Sequence, residues 1–164
     1  MADPILATNE RAFLAAARSA TLATIAPDGR PRLVPICFVL LGAGTAARVY
    51  SPLDDKPKAS ADPRDLARVR DLLARPAATL LVDRWSEDWD RLGWLRLDVR
   101  ATIVEPGDRG DRGEGDDHAS VVTALRAKYP QYERHHLESR PILRFEIERA
   151  AAWGDLAADE ARPA

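Results

Sequence analysis

Residues 92–104, LGWLRLDVRATIV, alternate strictly: Leu95, Leu97, Val99, Ala101 and Ile103 fall on one side, Trp94, Arg96, Asp98, Arg100 and Thr102 on the other. That period of two predicts a strand with one buried face. Its other face is too polar for plain core, and a tryptophan ring beside a guanidinium suits a flat, anionic ligand.

Toward the amino terminus, AATLLVD (77–83) is an apolar run of strand length. Ahead of it, from Pro63 to Pro76, Leu66, Val69, Leu72 and Leu73 recur at helical spacing, with Arg64, Asp65, Arg68 and Asp71 on the remaining faces. A helix packing through its apolar stripe is expected there. ATLATIA, PDGRP and RLVPICFVLL (residues 20–41) read as two strands around an Asp28-Gly29 turn, and ARVYS (47–51) as a third after the turn GAGTA. Residues 9–18 predict a first helix capped by Asn9.

Toward the carboxyl terminus, residues 105–117 are glycine and charge without large apolar side chains, which predicts a mobile surface loop. HASVVTALRAKYP predicts a helix ended by Pro130, and RPILRFEIERAAAW a last strand with imperfect alternation; residues 155–164 read as a frayed tail. The order is helix, three strands, helix, two strands, helix, strand. It predicts a mainly β (α+β) domain, a small barrel or half-barrel with flanking helices.

The chain has 164 residues, 46% hydrophobic and 30% charged, with a net charge of -2. That suits one domain, over residues 1–154, and gives no sign of a nucleic-acid partner. The start of the sequence fits neither a signal peptide nor a membrane span, so a cytoplasmic location is expected. The lone Cys37 sits in an apolar run and reads as core. His118, His135 and His136 have no zinc spacing and read as surface residues, so no metal is expected. Nucleotide-binding glycine signatures and a nucleophile elbow are absent.

Two stretches carry candidate chemistry. SPLDDKPK (51–58) delivers Ser51, Lys56 and Lys58 ahead of Arg64 and Arg68, enough donors for a phosphate. It also reads as a solvated loop, since Asp54, Asp55, Asp62 and Asp65 offset the charge. DRWSEDWDRLGW (83–94) holds three of four tryptophans; core packing is expected for Trp85, whereas Trp94 shares its strand's polar side with Arg96. KYPQY (128–132) either borders a site or simply ends a helix.

LATIAPDGRPRLVPICF, DDKPK, LLVDRWSEDWDRLGWLRLD and KYPQY, in this order, resemble the pyridoxamine 5'-phosphate oxidase-like split-barrel family, and within it the branch of coenzyme F420 (deazaflavin)-dependent oxidoreductases. The resemblance covers residues 10–153 and implies an FMN-binding-like split β-barrel, a homodimer with two cofactor sites at its interface, and a small-molecule substrate. It implies ring contacts from Val34, Pro35, Ile36 and Trp94, phosphate contacts from Ser51, Lys56 and Lys58, and a reach into the neighbouring subunit from Trp153. Arg32, Arg64 and Arg68 are candidates for the acidic tail of F420, which needs more cationic groups than FMN, the alternative cofactor. Gly93 stands where relatives often carry an aromatic residue. The expected activity is hydride transfer between reduced deazaflavin and an organic acceptor; an FMN enzyme and a non-catalytic carrier are the alternatives.

Overall fold

The computed structural model describes residues 5–54, 61–110 and 116–157. Its strands are β1 Ala20–Ile25, β2 Pro31–Ile36, β3 Val39–Leu41, β4 Arg48–Pro52, β5 Ala77–Arg84, β6 Gly93–Val104 and β7 Ile142–Gly154. Its helices are α1 Thr8–Ala16, α2 Ala67–Ala74 and α3 His118–Lys128. The strands form one antiparallel sheet in the order β2-β1-β5-β6-β7-β4-β3. Its two edges are therefore consecutive in the chain. Ile36 and Val39 are three Cα steps apart, at most about 11 Å, so the sheet must curl until its opposite edges nearly meet. The result is a split barrel.

The run 32–41, expected as one strand, is thus two strands from opposite edges. Phe38 is the corner, and Tyr129 supplies what the ladder cannot. The Phe38 N–H donates to Tyr129 Oη at 3.1 Å, and that hydroxyl lies 2.9 Å from the carbonyls of Phe38 and Arg18. Prolines lie where no donor is needed: Pro31 and Pro35 on an edge strand, Pro52 beyond the last residue that β3 pairs.

β6 and β7 share the longest ladder. Val99 pairs with Ile147 and Asp98 with Arg149, so Glu148 is an extra residue, a bulge. It inverts the parity of β7: Leu143, Phe145 and Ile147 point into the core, while beyond the bulge Trp153 pairs with outward-facing Trp94. The bulge accounts for Arg149 in the imperfect alternation of 142–149, and burial in the cluster around α3 accounts for Ile142.

The barrel interior holds Leu22, Phe38, Leu53, Leu80, Leu95, Leu97 and Phe145; Tyr50, Leu125, Tyr132 and Ile142 form a second cluster with α3. Each fully buried large side chain contributes about 1.5–3 kcal/mol. Cys37 packs against the second cluster, half-buried.

Several expectations need correction. α1 begins one residue before Asn9 and is entered through a hydrogen bond from the Ala7 N–H to Glu10 Oε2 at 2.8 Å. Leu73 is 61% exposed while Asp71, on the helix expected to be polar there, is buried. Trp85 is 70% exposed, not core, because it leaves the sheet just after β5 ends. His118 is buried, its Nε2 2.7 Å from the Arg140 carbonyl, whereas His136 is exposed as expected. No helix among the described residues is long and apolar enough to cross a membrane.

Candidate functional site

The sheet register divides the expected site residues into two groups. Along the outward face of β2-β1-β5-β6-β7, one row runs Pro35, Thr21, Leu81, Arg96, Ala151, and the next Leu33, Ala23, Thr79, Asp98, Arg149. Asp83, Trp94 and Trp153 form a third row at the same end as the exposed Trp85 and Trp89. Leu33 at 62% and Trp153 at 56% exposure leave this face open, and between β6 and β7 it carries the ion pairs Asp98–Arg149, 2.5 Å apart, and Arg100–Glu148, 2.9 Å apart. Pro35, Trp94 and Trp153 therefore share one surface. Val34 and Ile36 point the opposite way, half-buried and buried against the core, so their side chains do not join it.

The second group lies where β4 meets α2. Ser51 and Asp54 at the end of β4 are buried. Lys56 and Lys58 fall outside the described residues. The chain returns through a 3-10 turn, Pro63–Asp65, capped by Asp62, which accepts from the Arg64 N–H at 2.9 Å. That bond, ahead of the Arg64 guanidinium, holds the Asp62 carboxyl below the usual carboxylate range. Arg64 itself is occupied: its guanidinium grips both oxygens of Glu105 and lies 3.4 Å from Asp62. Its hydrogen bond with Glu105 raises its already high pKa.

Arg68, one turn into α2, differs. Its Nε is buried and makes no hydrogen bond with a described residue, and burial lowers its pKa while the nearby Asp54 carboxylate opposes that shift. A buried, unsatisfied guanidinium nitrogen is costly unless something else completes it. Asp54 also accepts from Tyr132 Oη at 3.1 Å, which links the end of β4 to the 3-10 turn Pro130–Arg134 after α3. Burial pushes the Tyr132 phenol well above its ordinary range, with Cys37 and Asp54 adding to the shift, so it stays a donor.

Arg32 faces α2 rather than open solvent. Its Nε donates to Asp71 Oδ2 at 2.8 Å, and Thr24 Oγ1 donates to the same oxygen at 2.8 Å. Burial works to raise the pKa of Asp71, but the bonds from Arg32 and Thr24 outweigh it and hold the carboxyl below its usual value. Asp54, Thr24 and Asp71 are the members of these networks that sequence reasoning did not assign, whereas Tyr132 belongs to KYPQY, read as either a site border or a helix end. For Asp71 the signal was an acid between the apolar Val69 and Leu72. Among the described residues no group of three His, Cys, Asp or Glu side chains could hold a metal ion.

A family model described as pyridoxamine 5'-phosphate oxidase matches residues 6–154. No curated sequence matches the chain. Among solved structures, a conserved hypothetical protein from Mycobacterium tuberculosis is similar with a TM-score of 0.65 at 20% identity, covering 94% of this chain and 88% of that one. An F420 reductase gives 0.58 at 17% identity over 86% and 94% of the two chains. HutZ, the heme storage protein of Vibrio cholerae, gives 0.56 at 14% identity over 88% and 89%. At such identities these likenesses establish the fold, which evidently houses different cofactors. With a family model matching nearly its whole length, the chain belongs to the pyridoxamine 5'-phosphate oxidase family.

Proposed function

We propose that the protein is a coenzyme F420-dependent oxidoreductase that moves a hydride between the reduced deazaflavin and a small organic acceptor. The observation that carries this reading is Arg68: a guanidinium whose buried Nε has no partner among the described residues, beside Asp54, the last described residue before Lys56 and Lys58. An anionic phosphate oxygen there would complete it, as buried donors require. Ser51, Lys56 and Lys58 would supply the remaining donors.

The bound ring would supply the redox chemistry; the protein's part is to hold, orient and shield it. Trp94 offers a flat apolar surface for a ring, Arg96 lies one register row from it, and Pro35 stands on the same face three strands away. The two groups of residues stand on different parts of one chain. A homodimer in which the open face of one protomer closes over the β4–α2 region of its partner would unite them, and the exposed Leu33, Trp85, Trp89 and Trp153 are the apolar surface expected of such a contact.

FMN is the second reading, favoured by the carboxylates: Glu105 and Asp62 occupy Arg64, which leaves fewer free cations for an acidic tail. Equilibrium titration with F420 and with FMN separates the two. The proposal expects F420 to bind at least tenfold more tightly, and the reverse order would replace it with the FMN reading. Oxidation of reduced F420 by enones or quinones at a rate above the protein-free control separates an enzyme from a carrier.

A further inference from the structure

A cavity of about 330 Å³ opens between the end of α1 and the end of β5, lined by Phe13, Arg18, Ser19, Val82, Asp83 and Arg84 among others. β1 and β5 run antiparallel with Thr21 opposite Leu81, so the chain entering β1 comes alongside the end of β5 and brings Arg18 and Ser19 to the same cavity as Asp83. Part of the wall is apolar, since Phe13 and Val82 are buried. Arg84 is already engaged. Its three guanidinium nitrogens donate to the carbonyls of Arg91, Ala157 and Asp155, and the group lies 5.4 Å from the centre of the Phe13 ring.

The other two charges are not used up. Asp83 forms no hydrogen bond or ion pair through its side chain with a described residue. Arg18 donates from Nη1 to the Lys128 carbonyl at 2.6 Å and lies 4.7 Å from the centre of the Tyr129 ring, but its Nε and Nη2 have no partner among the described residues. Opposite charges therefore line one cavity without pairing with each other. Arg18 also complements the dipole at the end of α1, and an exposed aspartate at a strand end is commonly just solvated. Two features go beyond that. A carbonyl and a ring fix the Arg18 guanidinium instead of leaving it to water, and Asp83 is fixed from the other side by its place in the β5–β6 ladder opposite Trp94. A simple anion drawn to Arg18 would meet Asp83, and a simple cation drawn to Asp83 would meet Arg18 and Arg84. A ligand with both charges satisfies both ends and lays its apolar part on Phe13 and Val82.

We propose that this cavity binds a small zwitterion, its ammonium at Asp83 and its carboxylate at Arg18, of which a free amino acid with an apolar side chain is the simplest kind. The site goes beyond the cofactor reading and does not rest on it. Because Asp83 lies opposite Trp94, the ligand would sit beside the face proposed for the ring.

The test titrates wild type and Asp83→Asn by calorimetry with alanine, leucine and phenylalanine, each as the free amino acid, as the N-acetyl derivative that lacks the ammonium, and as the amide that lacks the carboxylate. Asp83 is exposed and Asn is isosteric, so the fold should survive the change. The proposal predicts that at least one free amino acid binds wild type and that both of its blocked derivatives bind at least about tenfold more weakly, the usual loss for a charge-assisted bond. In Asp83→Asn the free amino acid should weaken by a similar factor, while the N-acetyl derivative, which has no charge to offer Asp83, should bind as it does to wild type. The proposal is overturned if no free amino acid binds wild type, if either blocked derivative binds as tightly as its parent, or if Asp83→Asn binds the free amino acid as wild type does.

Discussion

Tyr132 Oη donates to Asp54 Oδ2 at 3.1 Å, so the turn after α3 holds the chain two residues past the end of β4. The two residues are 78 positions apart in the chain, and their bond is buried. Tyr132→Phe removes the donor and leaves the carboxylate less satisfied. It should lower stability by about 1–3 kcal/mol, read as a shift of the urea midpoint at unchanged slope. An unchanged midpoint would mean that this bond does not position the end of β4.

Thr24 and Arg32 both hold Asp71. Replacing Asp71 with Ala should cost about 2 kcal/mol at neutral pH, a value discounted because Arg32 is partly exposed. The folded carboxyl has a depressed pKa, so its contribution is complete above the unfolded value of 3.8 and is lost as pH falls through the lower folded value. The stability gap between wild type and Asp71→Asn should therefore narrow in acid. A gap that widens below pH 3.8 would contradict this assignment.

Lys128 presents the opposite sign. Its Nζ is buried without a hydrogen-bond partner among the described residues, 4.2 Å from the centre of the Phe38 ring. Burial, assisted by Arg18 and opposed by Cys37, lowers its pKa to about 8. Between that value and the ordinary 10.5 the unfolded chain binds the extra proton, so this residue makes stability rise with pH across the window. Lys128→Met should be more stable than wild type at pH 7 by about 1–2 kcal/mol, the ring contact offsetting part of the burial cost. The advantage should shrink as pH rises toward 10; a destabilised Lys128→Met at pH 7 would refute the account. The raised pKa values of Tyr50, Tyr129 and Tyr132 work the other way above pH 10, so the comparison belongs below it.

Gly93 has no room for a side chain. A Cβ there would lie 2.2 Å from the Asp155 carbonyl oxygen, and one on its register partner Gly154 would lie 2.1 Å from the Leu92 carbonyl. The chain leaves β7 at Gly154 with φ +80° and crosses directly over β6, held by the Asp155 N–H donating to Leu92 O at 2.8 Å. Gly93→Ala should cost about 2–3 kcal/mol, measured by thermal or urea unfolding. A neutral substitution would mean that this crossing is loose.

Much of this fold could be read from the sequence because one sheet face is buried and the other is not. Leu95, Leu97, Val99 and Ala101 announce β6 by alternation alone, and the helical stripe through Val69 and Leu72 announces α2. What stayed hidden depends on contacts distant in sequence. The corner at Phe38 is set by Tyr129, 91 residues away, and a continuous apolar run gives no sign of it. The inverted parity of Trp153 comes from a single bulged residue, Glu148, that only the register exposes. Exposure of Trp85 and burial of Asp71 both run against residue type, the first on an open face, the second through two hydrogen bonds. In the candidate site, residue type pointed to the end of β4, while the pairing of Arg64 with Glu105 and the Arg68 Nε without a partner among the described residues are tertiary facts.

The account rests on Arg68 as an anion ligand, and its most direct test is the F420 affinity of Arg68→Met beside wild type. The account predicts that binding weakens at least tenfold, the usual loss for a charge-assisted bond, while the unliganded protein becomes no less stable because a buried unpaired nitrogen has gone. Unchanged F420 affinity in a folded Arg68→Met would contradict it.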